Sequence, residues 1–208
     1  PLQEAGIRIT MAMGNHDRRA PFFEVFGEYR TQTKVKGRVV SVVELPDVDF
    51  VVLDSLDELP NLKRGQSTTV SGKMDDEQIK WLESYLSTVK RPVILSAHHP
   101  LGEMSNLEAV IAKSPAVVAY IYAHVHVWNK GVRIIRPRDP ERMVPHISLP
   151  STFYGDIGYA VMRTTKEEAV VTYSSNGFWW AQPVENPPKV WAQRVADLSA
   201  ERCTILLK

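Results

Sequence analysis

The sequence predicts an α/β sandwich with mixed sheets, and three observations carry that prediction. Apolar runs of strand length end in His-bearing loops: GNHD at 14–17, SAHHP at 96–100 and AHVH at 123–126. An amphipathic helical stretch at 75–89 and a shorter one at 106–113 each precede such a run. The runs at 92–97 and 115–123 are apolar nearly throughout, as in strands covered on both faces by other layers.

Along the chain, residues 7–13 (IRITMAM) place Ile7, Ile9, Met11 and Met13 at alternate positions and end in Gly14. This reads as a strand entering a loop, with Asn15 at its C-terminal end. Residues 20–29 carry Phe22, Phe23, Val25 and Phe26, a short apolar helix or capping loop. Segments 36–45 and 48–54 read as neighbouring strands joined around Pro46 and Asp47. The stretch 60–73 is rich in Gly, Ser, Thr and Lys; it reads as a surface connector, with a border of a substrate cleft as the alternative. Over 75–89, Asp75 is the expected N-cap with Gln78 three residues on, and Ile79, Leu82, Leu86 and Val89 form one apolar stripe that faces the core. Strand 92–97 then delivers His98, and strand 115–123 delivers His124 and His126. Further strands are expected at 129–136, 143–149, 158–164 and 168–174, followed by a helix over Pro187–Glu201 and a final CTILLK. One domain is expected over 1–208, with 175–208 a C-terminal extension packing on it.

Composition excludes several partners. Lys plus Arg number 25 against 24 Asp plus Glu, so no overall field draws the chain to nucleic acid or to an anionic membrane. No run reaches the ~20 apolar residues that cross a bilayer. Cys203 is the single cysteine, and PLQEAGIRIT lacks the basic and apolar regions of a signal peptide, so a soluble, reducing, cytoplasmic setting is expected.

The loops carry the chemistry. Neutral imidazoles and an Asn carbonyl are ligands for manganese, iron or zinc. A lone buried His is usually a satisfied core residue, but five spread over three strand-end loops are not explained that way. In AHVH the i, i+2 spacing, taken as extended strand, puts His124 and His126 on one side. In SAHHP the adjacent His98 and His99 are expected to point apart, so His98 is chosen as the ligand and His99 as a residue that packs or orients it. Asp17 is expected to cap the following turn or to hold the His16 loop. Arg18 and Arg19 are substrate-binding candidates, since guanidinium pairs well with phosphate; solvated surface arginines are an equally weighted reading. His146, with no motif around it, is read as structural, and Phe178, Trp179 and Trp180 as a hydrophobic seam under the C-terminal helix before a base-stacking wall or an oligomer contact.

GNHD, HHP, AHVH and the later Pro150, Ser151 and Thr152, in this order, resemble the calcineurin-like metallophosphoesterase family, and within it the cyclic-nucleotide phosphodiesterase-like branch. The resemblance covers roughly residues 8–160. It implies an αββα sandwich of two mixed sheets flanked by helices, and two divalent metal ions (Mn, Fe or Zn). It implies that Asn15, His98 and His124 bind one metal and His126 the other, and that His16 contacts the phosphate and protonates or stabilises the leaving oxygen. The reaction implied is attack of a metal-activated hydroxide on the phosphorus of a small phosphodiester or nucleotide.

Two departures stand beside the resemblance. Ala123 occupies a position where the family usually has Gly. The Asp-x-His and Gly-Asp motifs that supply the first metal's carboxylates and the bridging Asp have no match in residues 1–13, where Glu4 is the only carboxylate. The expectation is that an N-terminal βαβ portion is missing, that one metal or none binds this chain alone, and that segment 7–13 is left as an unpaired edge. The folded chain is then expected to be a homo-oligomer or to exchange an element with a neighbour. The alternative function is a non-catalytic or partner-completed binding protein on the same fold.

Overall fold

The computed structural model describes residues 2, 4–59, 71–135, 142–179, 187–199 and 201–207. Two short helices, α1 (Arg19–Val25) and α2 (Tyr29–Gln32), precede a hairpin of β1 (Ser41–Glu44) and β2 (Asp49–Val52). The hairpin turns at Pro46 and Asp47, where Leu45 N–H donates to the Val48 carbonyl at 3.0 Å. Then come α3 (Asp76–Thr88), β3 (Val93–Ala97), a 3-10 turn at Leu101–Glu103, α4 (Ser105–Lys113) and β4 (Val117–Tyr122). β5 (Asn129–Ile135), β6 (Arg142–Ser148), β7 (Gly155–Thr164), β8 (Glu168–Trp179), α5 (Pro187–Ser199) and β9 (Arg202–Leu206) complete the order.

The strands form two sheets, one ordered β1-β2-β3-β4-β6-β5 and one ordered β7-β8-β9. In the first, β2, β3, β4 and β6 run parallel while β1 and β5 are antiparallel edges. The second is antiparallel throughout. β9 supplies a strand of that sheet, so Arg202–Leu206 belong to it.

Two cores account for the buried runs. Val93 and Leu95 of β3 face α3 and α4, where they meet Leu82, Leu86, Leu107 and Ile111. Ile94, between them, faces the second sheet and meets Val171, Tyr173 and Ile205. A strand that serves both cores is apolar on both faces, and all of β3 is buried, with Ser96 its one polar residue. Asp75 caps α3 by accepting from Gln78 N–H, and the stripe buries Leu82 completely; emptying that position would cost about 2–5 kcal/mol.

The N-terminal segment differs from its periodicity. Residues 7–13 form no strand in the described structure. Alternation creates one apolar face, but a strand also needs a partner for its backbone, and β1 pairs only with β2. Ile7 and Ile9 stay exposed, whereas Met13 is buried in a third, small cluster with Phe23, Tyr29, Val39 and Leu56. The connector at 60–70 and the side chains of Phe178, Trp179 and Trp180 lie outside the described residues. No helix among the described residues is long and apolar enough to cross a membrane.

Candidate metal centre

Because β2, β3, β4 and β6 are parallel, the loops after them open at one edge of the sheet, the side where such sheets place their ligands. The GNHD turn closes over this edge: Asp17 N–H donates to the Gly14 carbonyl at 3.0 Å, and Gly14 N–H donates to Asp17 Oδ2 at 2.8 Å. Asp17 therefore holds the turn, as its position predicts. Asn15 is buried, and its Oδ1 lies 3.0 Å from His98 Nε2. The same Nε2 lies 3.2 Å from His124 Nδ1. A methyl group at Gly14 would stand 3.1 Å from the His98 ring, so the turn approaches as closely as a residue without a side chain permits.

Two expectations from strand geometry are corrected. β3 ends at Ala97, and His98 and His99 lie in a bend, where the alternation of sides no longer applies. Their rings stand 4.8 Å apart, centre to centre, and His99 is 4.9 Å from the His124 ring. One donor atom from each of His98, His99 and His124 falls within 4.8 Å of the others. His99 is thus part of the cluster. It is also firmly seated: Ser55 Oγ lies 2.9 Å from its Nδ1, and Tyr120 donates to its carbonyl at 2.6 Å. Likewise, β4 ends at Tyr122, and His124 and His126 have φ of 69° and 58°. Both are left-handed, a conformation worth about 1–3 kcal/mol of strain per residue and concentrated at functional sites. Only His124 joins the close cluster; the His126 ring packs edge-on to Tyr154 with centres 5.7 Å apart.

Burial, aided by the neighbouring His99, His124, His126 and His16, pushes the His98 pKa down to about 3. Burial likewise lowers that of His126, with His124 and His16 adding to it. A neutral imidazole is the form that binds a metal. The meeting of an amide oxygen and imidazole nitrogens at 3.0–3.2 Å, in a region that excludes protonation of His98, suits one divalent cation with N and O ligands. No Asp or Glu joins this group among the described residues, so the fit is to one ion and not to a carboxylate-bridged pair.

The arginines separate. Arg18 is the partly exposed N-cap of α1, two residues after the exposed His16. Arg19 turns inward, contrary to its role as a substrate contact. Its Nε and Nη2 each lie 2.8 Å from a carboxylate oxygen of Asp54, and Nη2 donates to the Leu56 carbonyl at 2.6 Å. Glu58 accepts as well, at 3.3 Å. Asp54 is fully buried and also accepts from Val39 N–H. Arg19 therefore ties the helix that follows GNHD to the end of β2.

The loop after β2 is what motif reading passes over. Asp54 and Ser55 end a strand as the histidines do, and Ser55 touches His99 directly. Gln78 donates from its amide to the Asp54 carbonyl and accepts from Asp54 N–H, both at 2.8 Å. His146 lies within β6, its ring stacked 4.4 Å from that of Tyr122, a packing role that agrees with its sequence reading.

Comparison with known proteins places these observations. A family model described as calcineurin-like phosphoesterase matches residues 1–128. A solved dimetal phosphatase from Danio rerio aligns over all of this chain and 74% of its own, with a TM-score of 0.68 and 13% identity, a likeness of fold. Among curated proteins, ABC transporter G family member 40 of Oryza sativa subsp. japonica is 25% identical over 124 residues, 59% of this chain. The chain spans 8% of the length of that relative.

Proposed function

Because the chain belongs to the calcineurin-like phosphoesterase family, we propose that it serves a metal-dependent phosphoesterase, and specifically the hydrolysis of a small phosphodiester. The observation that carries this reading is the convergence of Asn15 Oδ1, His98 Nε2 and His124 Nδ1. These residues, with His99 as a further donor, would hold a divalent metal such as Mn, Fe or Zn. When bound, the ion supplies Lewis acidity to a phosphoryl oxygen and lowers the pKa of water.

The chain's own residues have separate tasks. Gly14 and the Asp17-closed turn hold Asn15 against His98. His16, exposed and near enough to His98 and His126 to help lower their pKa values, would give a proton to the departing oxygen. Arg18 offers charge to the phosphate. Arg19 and Asp54 fix the loop that presents them all. A cytoplasmic setting is part of the same proposal.

The test is release of p-nitrophenol from bis(p-nitrophenyl) phosphate with Mn2+, set against p-nitrophenyl phosphate as a monoester. Faster turnover of the diester supports the reading, and metal binding without turnover of either replaces it. That second outcome is the binding-protein reading, favoured by the lack of a carboxylate in the cluster among the described residues.

A further inference from the structure

The left-handed loop bearing His124 and His126 is gripped from outside the cluster. Asp156, at the start of β7, is 1% exposed. Its Oδ2 accepts from Trp128 N–H at 2.7 Å, and its own N–H donates to the His126 carbonyl at 2.9 Å. Arg194 of α5 clasps the same carboxylate, with Nε 2.9 Å from Oδ1 and Nη2 2.7 Å from Oδ2. Gly155 makes the approach possible: its φ is +84°, and a methyl group there would sit 2.0 Å from the His126 carbonyl oxygen.

We infer that the Asp156–Arg194 pair is a positioning device that holds the His124–His126 backbone in its left-handed form, so that the C-terminal helix is a working part of the metal centre. Strained conformations persist only where surrounding structure over-determines them, and Asp156 bonds the loop at both 126 and 128. The buried Trp128 indole, stacked on Tyr173, anchors the side chain. It leaves the peptide groups on either side of Val127, immediately after His126, to Asp156. Arg194 keeps the buried carboxylate aimed, since the two-pronged guanidinium fixes both oxygens.

This inference rests on His124 and His126 being site residues, and its test separates the two. Amide hydrogen exchange at Trp128 reads the clamp with no metal, and the visible absorption of added Co2+ reads the centre. In the full chain, Arg194→Gln and Asp156→Ala should raise Trp128 exchange at least about tenfold while Leu95, in β3, keeps its rate. Arg194→Lys, which keeps the charge and loses the fork, should recover part of the protection. The Co2+ affinity should fall about tenfold in the same order. Unchanged Trp128 exchange overturns the inference, as does acceleration that reaches Leu95 equally, for the pair is then only a contributor to global stability. A wild-type chain with no Co2+ absorption overturns the functional reading, and the exchange data still judge the clamp.

Discussion

His98 Nε2 and Asn15 Oδ1 meet at 3.0 Å across 83 positions of sequence. Neither has an apolar reason to be there. The contact exists because one residue directly follows a central parallel strand and the other leads a turn folded over that strand's end.

His98→Ala removes the donor shared by Asn15 and His124. Metal-dependent diester hydrolysis should fall by more than about 100-fold, beyond the roughly 10–100-fold that loss of a ligand's supporting partner costs. The far-UV circular dichroism should stay as it is. A variant that keeps its metal stoichiometry and rate would sink the assignment.

Gly14→Ala tests the same contact without touching a ligand. The added methyl meets the His98 ring at 3.1 Å, so the ring must shift by tenths of an ångström. Metal affinity, measured by titration, should drop about tenfold, with a stability loss within the ~1–3 kcal/mol of a small overpacking.

Arg19→Ala leaves the Asp54 carboxylate buried without its main partner. The guanidinium side chain is 11% exposed and that of Asp54 is 0% exposed. Breaking such a pair costs about 3–5 kcal/mol, and urea denaturation should show it. A loss below ~1 kcal/mol would mean that Arg19 is the surface residue that half of the sequence reading allowed.

Asp75 sets an acid limit. Burial opposes its charge, yet the Arg38 guanidinium at 2.6 Å and the Gln78 N–H outweigh burial and hold its carboxyl below the ordinary value. A carboxyl with a depressed folded pKa stabilises above its unfolded value of about 3.9 and loses that contribution as pH falls through the folded one. Wild type should therefore lose more stability than Asp75→Asn between pH 5 and pH 3, both values being about one unit either side of that unfolded pKa. Equal losses in urea melts would count against the cap's charge.

Much of this was legible in advance because the fold repeats one local rule. Period and capping specify α3 down to the Asp75–Gln78 bond, and nearly continuous apolar runs specify β3 and β4. Reasoning failed where a strand stops. Alternation of sides describes paired backbone, and both His98–His99 and His124–His126 lie just past the last paired residue. Arg19 was ambiguous for another reason: nothing local distinguishes a guanidinium that faces water from one that finds Asp54, 35 positions later. Residues 7–13 carry the strand period, but a period does not provide a neighbour.

The parallel arrangement of β2, β3 and β4 has a kinetic consequence. Each of these strands reaches the next through a helical crossover, α3 and then α4. Such pairings must close long loops before any contact is gained, which places them late on the way to the native state. The imidazole cluster assembles only after both crossovers have closed. Substitutions within it should change the rate at which the chain unfolds and leave the rate at which it folds nearly untouched.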